Sequence, residues 1–239
     1  MRKLTFLACL LLCMGITSTQ AQFSVIVNFD SANVPQGRYP EGDLLRVRNL
    51  LYGMIQGGGA HGFGCIFSVD TNGNNYKDLW DFNQDSGSNG ANPEGNLILS
   101  GAKLYGMTYD GGINDWGNIF RIDSNGSGYK DLWDFNQNPA DSNGANPTGS
   151  LILSGGQLYG MTAFGGINDD GNIFRIDTNG SGYKDLWDFH AAFDSNGAGS
   201  YGSLLLLGGK LYGMTNYGGI NGEGNIFRIN TNGNGYKDL

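Results

Sequence analysis

Short apolar runs, none as long as a helical face requires, alternate along the chain with breaks rich in Gly, Asn and Ser. Between Asn96 and Phe135 the runs are Leu97 to Leu99, Leu104 to Thr108, Asn118 to Asp123 and Tyr129 to Phe135. Runs of this length, bounded by turn residues and lacking a helical period of apolar positions, predict strands. Ser100 to Lys103 turns the first run into the second, and Ser124 to Ser127 turns the third into the fourth. The latter contains Asn125-Gly126, a strong hairpin signal. Four antiparallel strands in chain order make a meander, so the pattern predicts an all-β fold.

The pattern also repeats. Leu104 to Thr108 returns as Leu158 to Thr162 and Leu211 to Thr215, with a worn copy at Leu51 to Met54. Tyr76, Tyr129, Tyr183 and Tyr236 mark one phase, Tyr52, Tyr105, Tyr159 and Tyr212 another, both at spacings of 53, 54 and 53 residues. A period near fifty predicts stacked units, each burying its apolar face on the next. The expected fold is a β-propeller of about four four-stranded antiparallel blades, with repeats at about 23–75, 76–128, 129–182 and 183–235 and a partial one at 236–239. Phe23, Ile26, Val27 and Phe29 stand 53 residues before Tyr76, Leu79, Trp80 and Phe82, so the amino-terminal segment reads as a fourth strand. A closed four-bladed ring would pair Ser24 to Phe29 with Gly224 to Ile229. The favoured alternative is an incomplete larger propeller.

Arg2 and Lys3, an apolar run from Leu4 to Ile16 and the ending Thr19-Gln20-Ala21 read as a secretory signal over 1–21, leaving one repeat domain over 22–239. The run is shorter than the roughly twenty residues that span a bilayer, so no transmembrane segment is expected after its removal. Lipid anchoring through Cys9 or Cys13 is a minor alternative. The expected location is outside the cell or on its surface. The formal net charge is −8, and the leader carries two basic residues and no acid, so the exported chain is more acidic still. No Lys/Arg cluster exists to neutralise phosphates, which disfavours nucleic acid as a partner. Beyond the leader only Cys65 remains; it is expected as a half-buried spare thiol.

Catalysis needs a local constellation. With two histidines, His61 and His190, in different repeats, neither a metal centre nor a cofactor site is expected, and no catalytic residue is assigned. The turns at Asp70, Asp123 and Asp177 lack the spacing of a calcium loop and read as hairpins. Trp80, Trp133 and Trp187 recur in phase with Phe67, Phe120, Phe174 and Phe227 and are expected to fill the space between blades. Arg121, Arg175 and Arg228 suggest a ladder with Asp81, Asp134 and Asp188.

Loop lengths separate two faces. The long connections, such as Tyr109 to Gly117 and Asn83 to Gly95, share one face, and function concentrates on long loops. There the copies differ on an otherwise constant background. The candidate ligand-binding residues are Tyr109, Asp115, Trp116, Phe164, Asp169, Asp170, Tyr217 and Glu223, with Trp116 foremost because an exposed loop tryptophan needs a use.

Leu-Tyr-Gly-Met-Thr, then Gly165-Gly166, Gly171 to Ile176, Gly182-Tyr183 and Leu186 to Phe189 together resemble the GloVer tandem repeat of bacterial exported choice-of-anchor proteins, over residues 24 to 239. The layout is similar, more distantly, to kelch propeller repeats, although two or three residues intervene here before the paired glycines. The resemblance implies export, a propeller-like fold and surface display, with no established catalysis. The family's separate C-terminal anchor is not found in this sequence. The expected function is an exported or cell-surface module that binds a carbohydrate or an extracellular protein on the long-loop face. The alternatives are a saccharide-active enzyme using loop carboxylates and a purely structural or adhesive repeat.

Overall fold

The computed structural model describes residues 24–29, 37–84, 87, 89–141, 143–192 and 196–239. The signal-peptide assignment at 1–21 and the alignment of Phe23 lie outside them. The first unit is β1 (Gly37–Val47), β2 (Leu50–Gly58), β3 (Cys65–Asp70) and β4 (Lys77–Asp81). The second runs through β5 (Gly90–Ala91), β6 (Ile98–Ser100), β7 (Lys103–Thr108), β8 (Asp110–Gly111), β9 (Asn118–Asp123) and β10 (Lys130–Asp134). The third holds β11 (Gly144–Ala145), β12 (Ile152–Ser154), β13 (Gln157–Met161), β14 (Phe164–Gly165), β15 (Asn172–Asp177) and β16 (Lys184–Asp188). The fourth holds β17 (Gly197–Ala198), β18 (Leu205–Leu207), β19 (Lys210–Met214), β20 (Tyr217–Gly218), β21 (Ile226–Asn230) and β22 (Lys237–Asp238).

Each unit forms a four-stranded antiparallel meander: β1 to β4; β6, β7, β9, β10; β12, β13, β15, β16; and β18, β19, β21, β22. The tyrosine-defined periods therefore cut each sheet between its third and fourth strands. The fourth strand carries a bulge. Phe120 pairs with Asp131 and Ile119 with Trp133, leaving Leu132 extra. Without it, neighbours in a strand would face opposite sides; the extra residue lets Leu132 and Trp133 both reach the following sheet. Leu186 before Trp187 and Leu79 before Trp80 occupy the same place.

The core lies between successive sheets. Tyr52, Met54 and Ile66 of the first meet Leu97, Leu104, Phe120 and Ile122 of the second. Tyr105, Met107 and Ile119 meet Leu151, Leu158, Phe174 and Ile176 of the third, and Tyr159, Met161 and Ile173 meet Leu204, Leu211, Phe227 and Ile229 of the fourth. The recurring glycine of the Leu-Tyr-Gly-Met motif is explained by packing: a Cβ on Gly106 would sit 2.6 Å from the Phe120 ring. The entries to the first strands also approach one another closely. Asn96 N donates to Ser150 Oγ at 2.8 Å and Ser150 N to Ser203 Oγ at 2.9 Å, while a Cβ on Gly149 would overlap the Gly202 carbonyl.

Several expectations need correction. The Arg–Asp ladder does not form. Arg121 lies across from Tyr105 and Lys130, and Arg175 donates to Gln157 Oε1 at 2.9 Å. Asp81 and Asp188 accept loop amides instead, from Ala60 N at 2.6 Å and Ile167 N at 2.9 Å, because they sit at the far end of their strands from the arginines. The one ion pair among the described residues is Lys103–Asp123, at 2.6 Å. Cys65 is buried rather than half-buried, and burial pushes its thiol up to about 12. Among the described residues Ser24 to Phe29 forms no ladder with β21; Val27 and Phe29 pack on Phe67, Val69 and Tyr76 of the first sheet.

Candidate functional site

The long connections expected on one face are joined there by hydrogen bonds. β5 pairs with β8, Gly90 opposite Gly111 and Ala91 opposite Asp110, so the loop entering a sheet is tied to the loop between its second and third strands. β11 with β14 and β17 with β20 repeat this; in the first unit the ends of β1 and β2 do it, with Gly37 opposite Gly58. Buried Thr108 anchors the base, its Oγ1 2.9 Å from both Asp110 O and Asn118 Oδ1. Asn118 Nδ2 reaches Tyr129 OH at 3.3 Å. Thr162 and Thr215 pin the loop mouth to the strands beneath it in the same way, whereas the first unit has the buried Ile55 at that place.

On this frame the fourth unit differs from the second and third. Where Asn92 and Asn146 adopt φ of 54° and 52° and donate to Gln56 O and Tyr109 O, the fourth unit has Gly199 at φ 61°. The missing side chain leaves room for two rings: Tyr217 and Tyr201 approach to 3.0 and 3.4 Å of the position a Cβ would take. Tyr201 also meets Phe164 edge-on, centroids 6.5 Å apart. Phe164, Tyr201, Tyr217, Asp169, Asp170 and Gly199 contribute to the wall of a cavity of about 200 Å³. Tyr201 and Tyr217 are 41% and 58% exposed, so their faces are open to a ligand.

An acidic flank adjoins these rings. Glu94 accepts Gln56 Nε2 at 3.0 Å, and burial, then the charges of Glu41 and Asp110, hold its carboxyl above the usual range. Burial, then the charge of Asp115, raises Asp110 to about 6. The Tyr109 phenol is raised by burial and by the charges of Asp110 and Glu94; Tyr201 is raised by burial, by Tyr217 and by Glu94. The arrangement can stack a flat apolar surface on aromatic rings and accept hydrogen bonds from hydroxyl or amine groups at the rim.

Of the eight residues singled out in the sequence, Phe164, Asp169, Asp170 and Tyr217 line the cavity and Tyr109 lies on its acidic side. Asp115 instead holds its own loop: Oδ1 accepts Gly111 N at 3.2 Å and Gln84 Nε2, from the preceding unit, at 2.6 Å. Asp169 does the same with Gly165 N and Gln137 Nε2. Trp116 is half-buried against the core between the second and third sheets, so the argument from an exposed tryptophan does not hold. Glu223 lies apart, on the outer side of the fourth sheet with Met214 and Ile226. Glu94, Asp110 and Tyr201 were not singled out. Glu41, Glu94, Thr148 and Tyr201 follow one another at spacings of 53, 54 and 53, and comparing copies at that position would have revealed them.

Among the described residues no group of three or more His, Cys, Asp or Glu could hold a metal ion, and no helix is long and apolar enough to cross a membrane. Fold and site together define a β-propeller-like tandem-repeat protein with a variable loop face on a constant scaffold. The model of the Gloeobacter/Verrucomicrobia repeat matches residues 13–194 and again 90–239, and the chain belongs to that family. No curated protein matches it. Among solved structures it is similar to a chain of the nidogen/laminin complex, at 14% identity and TM-score 0.48, covering 76% of this chain and 55% of that one. It is also similar to TolB from Acinetobacter baumannii, at 12% identity and TM-score 0.45, covering 74% of this chain and 37% of that one. The chain thus spans about half or less of these two structures.

Proposed function

We propose that this is an exported or cell-surface propeller of about four blades whose long-loop face binds a carbohydrate or an extracellular protein. The observation that carries the reading is the cup of Phe164, Tyr201 and Tyr217 around Gly199, built where the repeat breaks its own pattern. A scaffold selected only for stacking has no need to replace the asparagine that closes the corresponding loops of the second and third units. Aromatic rings with polar rims are the usual anchors of such surfaces. Face-to-face burial between successive sheets and the close approach of their first strands favour the propeller arrangement. Binding is favoured over hydrolysis because Asp169 and Asp170, the carboxylates an enzyme would use, hold loop amides: Asp169 accepts Gly165 N at 3.0 Å and Asp170 accepts Ala191 N at 2.8 Å.

A glycan array and an extracellular-protein panel, run beside a saccharide hydrolysis screen on the purified protein, test this. The expected result is a ligand whose binding is weakened about tenfold in Tyr201→Ala and no turnover. Turnover abolished by Asp170→Ala would overturn the binding reading. Absence of both ligand and turnover would leave a structural repeat as the better account.

A further inference from the structure

One arginine of the repeat is missing from the junction between the first and second sheets. Across the ladder of second and third strands, Tyr105 lies opposite Arg121, Tyr159 opposite Arg175 and Tyr212 opposite Arg228, but Tyr52 lies opposite Ser68. The neighbouring rung changes with it. Asp123 faces Lys103 and Asp177 faces Gln157, and each accepts a hydrogen bond from that partner, at 2.6 and 3.1 Å. Asp70 faces Leu50, which has no donor to give. Side chains alternate along a strand, so Ser68 points the way Ile66 does, toward the second sheet.

The exchange leaves a cavity of about 480 Å³ at the tight-turn end of the strands, away from the cup. Ser68, 4% exposed, lies within it; Leu50, Tyr52 and Leu79 give it apolar walls, Asp70 and Lys77 its charges, and the turn at Ser124 borders it from the second unit. At the next two junctions the arginine goes into the corresponding space. The Nε atoms of Arg121 and Arg175 are shut off from solvent, and Arg175 Nη1 donates to Gln157 Oε1 at 2.9 Å. Lys77 does not exclude a second cation, because Lys130 and Lys184 stand opposite those arginines as Lys77 stands opposite Ser68. The second unit sets Lys103, Arg121 and Lys130 against Asp123, and the third sets Arg175 and Lys184 against Asp177. The first sets only Lys77 against Asp70. Asp70 Oδ2 accepts Asn75 Nδ2 at 2.7 Å, so Oδ1 is open to a further donor.

We propose that this cavity binds the guanidinium of an arginine side chain from a partner polypeptide, in the place that the repeat's own arginine takes at the next two junctions. The stem lies along Leu50 and Leu79, and the planar head, which carries five donors, meets Asp70 and the Ser68 hydroxyl. The site is separate from the cup and does not depend on the ligand-binding reading of the loop face.

Titration of the purified protein with acetyl-arginine amide, followed by NMR, tests it. Saturable shifts are expected at the amides of Ser68, Asp70 and Lys77, with acetyl-citrulline amide, similar in shape but uncharged, binding about tenfold more weakly. Ser68→Arg fills the cavity with the repeat's own side chain and is expected to remove those shifts. Asp70→Asn is compatible with the turn, since Asn230 makes the same turn bonds in the fourth unit, and is expected to weaken the probe by about tenfold. Tyr201→Ala on the loop face is expected to leave it unchanged. An arginine probe that does not saturate the wild type, equal binding of the citrulline probe, or undiminished binding in Ser68→Arg would each overturn the proposal. So would binding that Tyr201→Ala removes, which would place the guanidinium in the cup.

Discussion

The indole of Trp133 lies flat on the phenol ring of Tyr183, centroids 4.1 Å apart and planes 2° from parallel. The pair joins the fourth strand of one sheet to the start of the fourth strand of the next, and Trp80 on Tyr129 and Trp187 on Tyr236 repeat it at 4.2 Å. Trp133 Nε1 also donates to Asn143 Oδ1 at 3.0 Å, so one side chain ties the core between sheets to the loop leading into the next sheet. Trp133→Ala is expected to lower stability by about 3 kcal/mol, the loss of a large packed ring with a cavity left behind. Trp133→Phe should lose less in packing but leave Asn143 without its donor. Urea unfolding of the three proteins measures this. Equal stability of wild type and alanine variant would show that the stack carries no load.

The bulged fourth strands make stability depend on pH. Burial first, then the charge of the neighbouring Asp134, raise Asp131 to about 7. Asp78 is raised to about 7 beside Asp81, and Asp185 to about 8 beside Asp188. In the unfolded chain an aspartate titrates near 3.9. A folded pKa above the unfolded one means the native state holds the proton more tightly. The stabilisation is complete below about pH 4 and is lost as pH rises through about 7 to 8. Asp123, held below its usual range by Lys103, stays ionised above that lower limit and does not obscure the trend. The urea midpoint should therefore fall between pH 5 and pH 8.5, and Asp131→Asn with Asp185→Asn should flatten the fall. A midpoint that climbs over that range would contradict the assigned direction.

The strands were legible because each hairpin is local: Asn125-Gly126 and the Leu-Tyr-Gly-Met motif fix β7, β9 and β10 within two residues of their observed limits. What lay between the repeats was not legible. The arginine–aspartate ladder paired residues by strand type alone, and the bulge at Leu132 with the far placement of Asp134 removes it. Trp116 was judged by being in a loop, yet that loop folds back over the junction and half-buries it. The cup was only partly foreseen. Phe164 and Tyr217 vary visibly between copies of the same loop in the third and fourth units, while Tyr201 reaches them from the loop entering the fourth sheet, and only folding shows that this loop shares a ladder with the one carrying Tyr217.

The close approach of the inner strands gives a prediction about glycine. Gly149 does not have a left-handed φ, so its role is not backbone freedom; a Cβ there would overlap the carbonyl of Gly202 in the next unit. Gly149→Ala must push two sheets apart and is expected to destabilise by about 2 kcal/mol, as overpacking does. Gly202→Ala, with nothing within 4 Å of its Cβ, should be close to neutral, apart from what an added methyl does to the unfolded chain. Thermal unfolding of the two variants separates them. Equal effects would mean that the inner strands do not set the spacing between units.

The cup and the packed tryptophan predict opposite behaviour for two aromatic substitutions. Tyr201 is substantially exposed and its ring contacts Phe164 only edge-on, so Tyr201→Ala should leave the unfolding midpoint nearly unchanged. It should weaken any ligand found on the loop face by about tenfold, ~1.4 kcal/mol. Trp116 packs beneath the loop, and its carbonyl accepts Asn146 N at 2.9 Å, so Trp116→Ala should destabilise the protein by about 2 kcal/mol and alter binding only through the loop it supports. Calorimetric titration with the ligand from the array and unfolding curves on both variants give the two numbers. If Trp116→Ala abolished binding with stability intact while Tyr201→Ala bound normally, the site would lie around Trp116 and the cup would be a packing feature of the fourth unit.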